Sequence, residues 1–335
     1  MPTTSKKHVV IVGAGLYIMS IDRRRLNELL LTGAEAYTNM EIHFQHSLSS
    51  CDFDKKEATF INGQGEKVTV SYDLIVGCDG AHSAVRRQMM KSTLLNYSQE
   101  YIPHGYIEMS IPATKDGQFL IEENYLHIWP RNTFMMIGLP NTEDHTFVIT
   151  LFMPFVKYES IQNEHDLLTF FETEFPDAVP LIGRESIVKT FFSRKPLPLI
   201  TVKAISYWKG FEDCLVFDSI LEKCGDDFAK ALPEFTRIRS EDAQVMCDMA
   251  MNNYIEMRAT VNSRLFLIRK RLDRVLNWLM PSIWIPFYTS VVFTHMPYQQ
   301  CIENRRWQDK VLMVVIPLMG LAALSTGIIA ACHHP

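Results

Sequence analysis

Between Tyr72 and Arg87 the chain reads Y-D-L-I-V-G-C-D-G-A-H-S-A-V-R-R, and the residue types there suit nucleotide handling. Asp79 offers a carboxylate for a ribose hydroxyl or a bridging water, while the backbone amides after Gly80, together with Arg86, can face a phosphate. A second candidate is Gly13-Ala14-Gly15, which directly follows the β-branched run His8 to Val12. A glycine pair after a buried parallel strand lets the backbone approach a pyrophosphate seated on the next helix N-terminus. Only part of that pattern is present. Ile18 stands where a third glycine belongs, and Gln45 and His46 close the next expected strand, Glu41 to His46, where an acid would hold the ribose hydroxyls. For both stretches a plain alternative remains open: a capped strand-turn-helix around Asp79, and a simple tight turn at Gly13 and Gly15.

These groups need elements to hold them. Tyr72 to Val76 is expected as a strand, Gly77 to Gly80 as the turn and Ser83 to Lys91 as a helix. Upstream, Leu16 to Ile21 reads as extended, and a helix is expected from the N-cap Asp22 to about Ala36. Asp52 to Val70 alternates around Asn62-Gly63-Gln64-Gly65 as a β-hairpin. Tyr101 to Pro112 and Tyr125 to Pro154 carry aromatic and β-branched residues at strand spacing, which predicts a second, mainly antiparallel sheet. Asp166 to Phe175 is expected as a helix ended by Pro176 to Pro180, and Phe191-Phe192 as the start of a strand running to Tyr207. Such a sheet beside a nucleotide domain suits an apolar substrate pocket, although each aromatic taken singly is better read as core.

Composition narrows the classes. The 335 residues leave room for a substantial core, with 47% hydrophobic and 21% charged residues. A net charge of −5 argues against nucleic acid as the main partner. The seven cysteines include no C-x-x-C pair and no Cys/His group at zinc spacing, which fits reduced thiols facing a cytosol and no metal site. The opening P-T-T-S-K-K leads straight to a strand, so no signal or transit peptide is expected.

Longer strings are more specific. Y-S-Q-E-Y-I-P-H-G-Y-I-E-M from Tyr97, N-Y-L-H-I-W-P-R-N-T-F-M-M from Asn124, F-P-D-A-V-P-L-I-G from Phe175 and N-Y-I-E-M-R-A from Asn253 resemble the kynurenine 3-monooxygenase family of flavin-dependent aromatic hydroxylases. The resemblance covers nearly the whole chain. It implies an FAD-binding domain, a substrate sheet, NADPH as reductant, and O2 as the source of an oxygen inserted into the ring of L-kynurenine to give 3-hydroxykynurenine. On the cofactor side it implies roles for Gly13, Gly15, Asp79, Gly80 and Arg86, for Arg23 in the string Y-I-M-S-I-D-R, and for Leu48 through its backbone. On the substrate side it implies that Asn253 and Tyr288 hold the amino acid end, with Glu256 and Met257 as neighbours. No side chain is expected to act as a catalytic acid, base or nucleophile, because the flavin carries the chemistry.

The chain departs from the family in two places, read as internal deletions after Leu16 and near Lys209. The first removes the ribose acid's helix and strand and a carboxylate-binding arginine. The second removes a G-D motif, since Tyr207-Trp208-Lys209 runs directly into Gly210-Phe211-Glu212-Asp213. The fold expected is therefore α/β: an incomplete Rossmann-like FAD-binding domain (1–96), an antiparallel substrate sheet (97–208), the remaining helices (209–304) and a membrane anchor (305–335). Val311 to Cys332 contains no charged residue over 22 positions, enough for a transmembrane helix of ~20 residues. Arg305, Arg306 and Lys310 before it predict a body on the cytosolic side, and the resemblance implies the mitochondrial outer membrane. A competing class is a membrane-tethered binding or regulatory form that no longer holds flavin.

Overall fold

The computed structural model describes residues 9–12, 21, 23–95, 97–204, 210–294 and 296–314. They divide into two units, Met1–Ile205 with Asn252–Asn262, and Ser206–Met251 with Ser263–Pro335. The first half carries β1 (Val9–Val12), α1 (Arg23–Glu35), β2 (Ser47–Asp52), β3 (Glu57–Ile61), β4 (Lys67–Ser71), α2 (Ala84–Ser92) and β5 (Tyr97–Ile111). There follow β6 (Tyr125–Pro130), β7 (Met135–Asn141), β8 (Thr146–Pro154), α3 (Phe155–Glu159), α4 (Glu164–Glu174), α5 (Val179–Ile182), α6 (Arg184–Ser193) and β9 (Leu197–Ala204). The remainder is helical: α7 (Gly210–Lys223), α8 (Phe228–Arg258), α9 (Arg264–Leu279), α10 (Phe287–Phe293) and α11, described over 298–314.

The core of the first unit lies on one face of a six-stranded sheet ordered β1-β6-β7-β8-β5-β9. Strand periodicity puts Ile107, Met109 and Ile111 of β5 and Phe147, Ile149, Leu151 and Met153 of β8 on that face, where they pack with Leu167, Phe171, Phe175 and Ile187 from α4, α6 and the segment after α4. Two polar groups are built into this core with partners. Trp129 Nε1 donates to Asp177 Oδ2 at 2.7 Å, and Arg131 Nε donates to the Glu174 carbonyl at 2.7 Å with its guanidinium 4.9 Å from the Phe175 ring centre. The predicted antiparallel sheet is therefore present. Phe191 and Phe192, expected in a strand, instead close α6, because burying Ile187 and Phe191 four residues apart on one face is a helical pattern.

The parallel sheet expected at the N-terminus does not form among the described residues; every strand pair there is antiparallel. Neither neighbour that a parallel β1 would need is a strand, since residues 41–46 are coil and turn and Tyr72 to Val76 is irregular. An unpaired strand leaves its backbone groups open, and Val9–Val12 pairs antiparallel with β6 instead. β2, β3 and β4 form a separate three-stranded meander whose tight turn is held by Asn62 Oδ1, which accepts the amides of Gln64 at 3.0 Å and Glu66 at 2.9 Å.

In the second unit the organising group is Asp273, 3% exposed. It accepts from Arg269 Nε at 2.9 Å and Trp284 Nε1 at 3.0 Å on one oxygen, and from Arg305 Nη1 at 3.4 Å on the other. Among the described residues no helix is long and apolar enough to cross a membrane. The transmembrane helix expected over Val311 to Cys332 lies outside the described residues except for its first four positions, which continue α11.

Candidate functional site

The D-G turn is built from the start of α2. Ser83, its N-cap, accepts the Arg86 amide on Oγ at 3.0 Å. Asp79 Oδ2 accepts the amides of Ala84 at 2.5 Å and Val85 at 3.2 Å, so these two side chains satisfy donors that a helix start otherwise leaves open. Burial pushes the Asp79 carboxyl up, but the Ser83 hydroxyl and the amides of Val85 and Ala84 outweigh it and hold the group below its ordinary value. Arg86 folds back: Nη2 donates to the Ala81 carbonyl, Nη1 reaches the Gly80 carbonyl at 3.4 Å, and the guanidinium lies 4.6 Å from the Tyr97 ring centre. The turn thus has the hydrogen bonding of a capped strand-turn-helix, and Arg86 shapes it from within.

Room for a ligand edge is nevertheless kept. Gly80 has φ +75°, and nothing stands within 4 Å of where a Cβ would be, so a dinucleotide can approach the backbone there. Gly77 has the opposite surroundings: a Cβ would sit 2.8 Å from Val85 Cβ, which lets α2 pack onto the turn only with glycine. Gln88 Nε2 donates to the Ser49 carbonyl at 2.9 Å, tying α2 to β2 beside Leu48. The strand that carries Leu48 is thereby tied to α2, whose start holds Asp79, Gly80 and Arg86, and the open backbone at Gly80 fits the edge of a flavin dinucleotide. Arg23 opens α1, whereas Gly13 and Gly15 lie outside the described residues.

A second cluster occupies the other face of the large sheet. Tyr254 of α8 places its ring edge-on to His104, at 5.6 Å between centroids, and edge-on to Phe152 at 5.9 Å. Tyr106 lies 5.9 Å from Phe152 in turn. Arg258, one turn further along α8, is 5.2 Å from the Tyr254 ring centre and donates from Nη1 to the Thr133 carbonyl at 3.1 Å. Burial pushes the Tyr254 hydroxyl up to about 12, against the lowering effect of Arg258. Asn253 is exposed on the same two turns, with Nδ2 4.0 Å from Met257 Sδ, and Glu256 and Met257 are half-buried. Tyr288 stands half-buried on α10 of the second unit. His104, Tyr254 and Arg258 were not singled out from sequence, although His104 occupies the alternate position of a strand whose other face is core.

The chain is 45% identical over 333 residues to kynurenine 3-monooxygenase from Anopheles gambiae, a match covering 92% of this chain and 68% of that one. It belongs to the kynurenine 3-monooxygenase family. The Sus scrofa member is 42% identical over 349 residues, covering 96% of this chain and 74% of its own length. That alignment is longer than the 335-residue chain, so family members carry internal segments without a counterpart here, in keeping with the expected deletions. Residues 13–166 match the FAD binding domain family. A solved structure of 2-methyl-3-hydroxypyridine-5-carboxylic acid oxygenase shares the fold, with a TM-score of 0.54 at 19% identity over 73% of this chain and 70% of that one. The strings seen in sequence fall on β5, on β6 and the start of β7, on the α4–α5 connection with α5, and on the end of α8.

Proposed function

We propose that the chain hydroxylates the aromatic ring of L-kynurenine to 3-hydroxykynurenine, with FAD as prosthetic group, NADPH as reductant and O2 as oxygen source. The observation that carries this is the 45% identity to a kynurenine 3-monooxygenase across 92% of the chain. FAD, when bound, supplies the redox chemistry and activates oxygen. The protein's part is to bind, orient and exclude water. Gly80, with Asp79, Leu48 and Arg86 around it, would hold one edge of the dinucleotide, joined by Arg23, Gly13 and Gly15. Asn253, with Glu256 and Met257 beside it, would hold the amino acid end of the substrate.

Purified full-length protein supplemented with FAD is expected to be yellow and to oxidise NADPH when kynurenine is added, with 3-hydroxykynurenine as product. A preparation that stays colourless in excess FAD would sink the enzymatic reading and favour the flavin-free tethered form.

The membrane reading belongs to the same proposal: a single C-terminal span over Val311 to Cys332 in the mitochondrial outer membrane, body toward the cytosol. Its support is the uncharged run with Arg305, Arg306 and Lys310 before it. The exposed residues Leu265, Ile268, Val275 and Leu279 on α9, with Trp278 80% exposed and Arg264, Lys270, Arg271 and Arg274 alongside, suit a bilayer surface. Extraction at alkaline pH without detergent is expected to leave the protein in the pellet; its appearance in the supernatant counts against a span.

A further inference from the structure

We infer that His104 and Arg258 are positioning residues for the stretch of α8 that carries Asn253, Glu256 and Met257. The inference rests on the reading of that stretch as substrate-facing, but the geometry behind it does not. Three atoms from three elements meet at one point: His104 Nε2 of β5 lies 2.9 Å from the Thr133 carbonyl oxygen, Arg258 Nη1 of α8 lies 3.1 Å from the same oxygen, and the two nitrogens are 3.0 Å apart. A carbonyl has two lone pairs, and with the proton on Nε2 both nitrogens donate to it. His104 Nδ1 is then a bare lone pair, buried without a partner, which a second proton would turn into a buried donor beside a guanidinium.

The same turn holds the end of α8 once more, and the segment after it once. The Asn132 amide donates to the Arg258 carbonyl at 2.8 Å, and Asn262 Nδ2 donates to Asn132 Oδ1 at 3.1 Å. The end of α8 is thus tied to the β6–β7 turn through backbone and side chain together, and to β5 through the shared carbonyl. Tyr254 and Arg258 are four apart, so they lie on one helix face, and that face is pinned against His104 and Phe152. Asn253 and Met257 form the adjacent stripe, turned by about 100° around the axis. Fixing the first stripe fixes the direction of the second. A rotation that turned the Asn253 amide away would weaken its hold on the amino acid end of the substrate, a binding loss that raises KM more than it lowers kcat.

The test uses full-length protein and three variants: His104→Phe keeps the ring against Tyr254 but removes the donor, His104→Gln restores a donor, and Arg258→Met removes the other. Two readouts are taken, hydrogen exchange of the peptide spanning 250–262 and kinetics with kynurenine. Faster exchange of that peptide, about tenfold, is expected in His104→Phe and Arg258→Met, with the core peptide around Phe171 unchanged and His104→Gln close to wild type. KM for kynurenine is expected to rise about tenfold in the first two variants with kcat within about threefold. Unchanged exchange at 250–262, an equal loss of protection around Phe171, or a His104→Gln no better than His104→Phe each overturns the inference. Should wild type show no turnover while the exchange pattern holds, the functional reading fails and the positioning role stands.

Discussion

Asp79 illustrates how a residue suited to a ligand is first engaged by its own fold. Its Oδ2 holds the start of α2 through Ala84 and Val85, and its carboxyl is held below the ordinary range. A depressed carboxyl contributes stability that is present above the unfolded value near 3.8 and is lost as pH falls through the folded one. Asp79→Asn is therefore expected to loosen the turn at neutral pH and to weaken FAD retention, read by flavin absorbance after gel filtration. His104 gives a pH dependence in a more accessible range. Burial lowers its pKa, the Thr133 carbonyl opposes that, and Arg258 lowers it further; Tyr254 and Arg258 of α8 are the titratable groups packed against it. The unfolded chain takes up this proton near 6.5 while the folded one resists it, so the stability it contributes is complete above that pH and declines below it. Urea midpoints at pH 7.5 and 5.5 should differ more in wild type than in His104→Phe, and an identical difference in both would remove His104 as the source.

At the scale of elements, the large sheet and α2 have very different support. Phe171 of α4 is fully buried among Phe170, Phe175 and the sheet, and Phe171→Ala is expected to cost about 3–5 kcal/mol in denaturant titration. Ser83→Ala removes the cap of α2, a helix with no buried residue of its own, and the hydroxyl beside Asp79, for about 1–2 kcal/mol. In the second unit, Asp273 joins α9 to α11 and to Trp284. Replacing it with alanine leaves the buried Trp284 Nε1 without its acceptor and Arg269 and Arg305 with Asp309 as their remaining carboxylate, and is expected to cost about 3 kcal/mol, a large share of the stability of an ordinary domain.

For the molecule as a whole, core is distributed unevenly. Among the described residues between 21 and 95, only Ala58 and Ser83 are buried, and Leu29 and Leu30 of α1 are about half exposed at 49% and 48%. The cofactor-side segment therefore lacks the packed layers that stabilise the sheet of β5 to β8. Its amides are expected to exchange far faster than those of β5 and β8, and added FAD to slow exchange across residues 77–92. Equal exchange in the two regions would show that the segment is stabilised by something other than apolar burial.

The sequence alone determined what local pattern can determine. Alternation marked β5, β6, β7 and β8, Asn62-Gly63-Gln64-Gly65 marked the hairpin turn, the run from Ser83 to Lys91 marked α2, and the long strings marked the family. Asp79 and Gly80 stood out from their own residues as a turn before a helix, whereas Asn253 came only with the resemblance. Pairing was beyond it, because whether Val9–Val12 joins a parallel or an antiparallel ladder depends on which distant segments remain to offer an edge. Likewise, β-branched and aromatic content at Phe191 and Phe192 suggested a strand until packing against the sheet imposed a helix. Only the tertiary structure brought His104, Thr133 and Arg258 together, since a hydrogen-bond knot between residues 29 and 125 positions apart leaves no spacing to read.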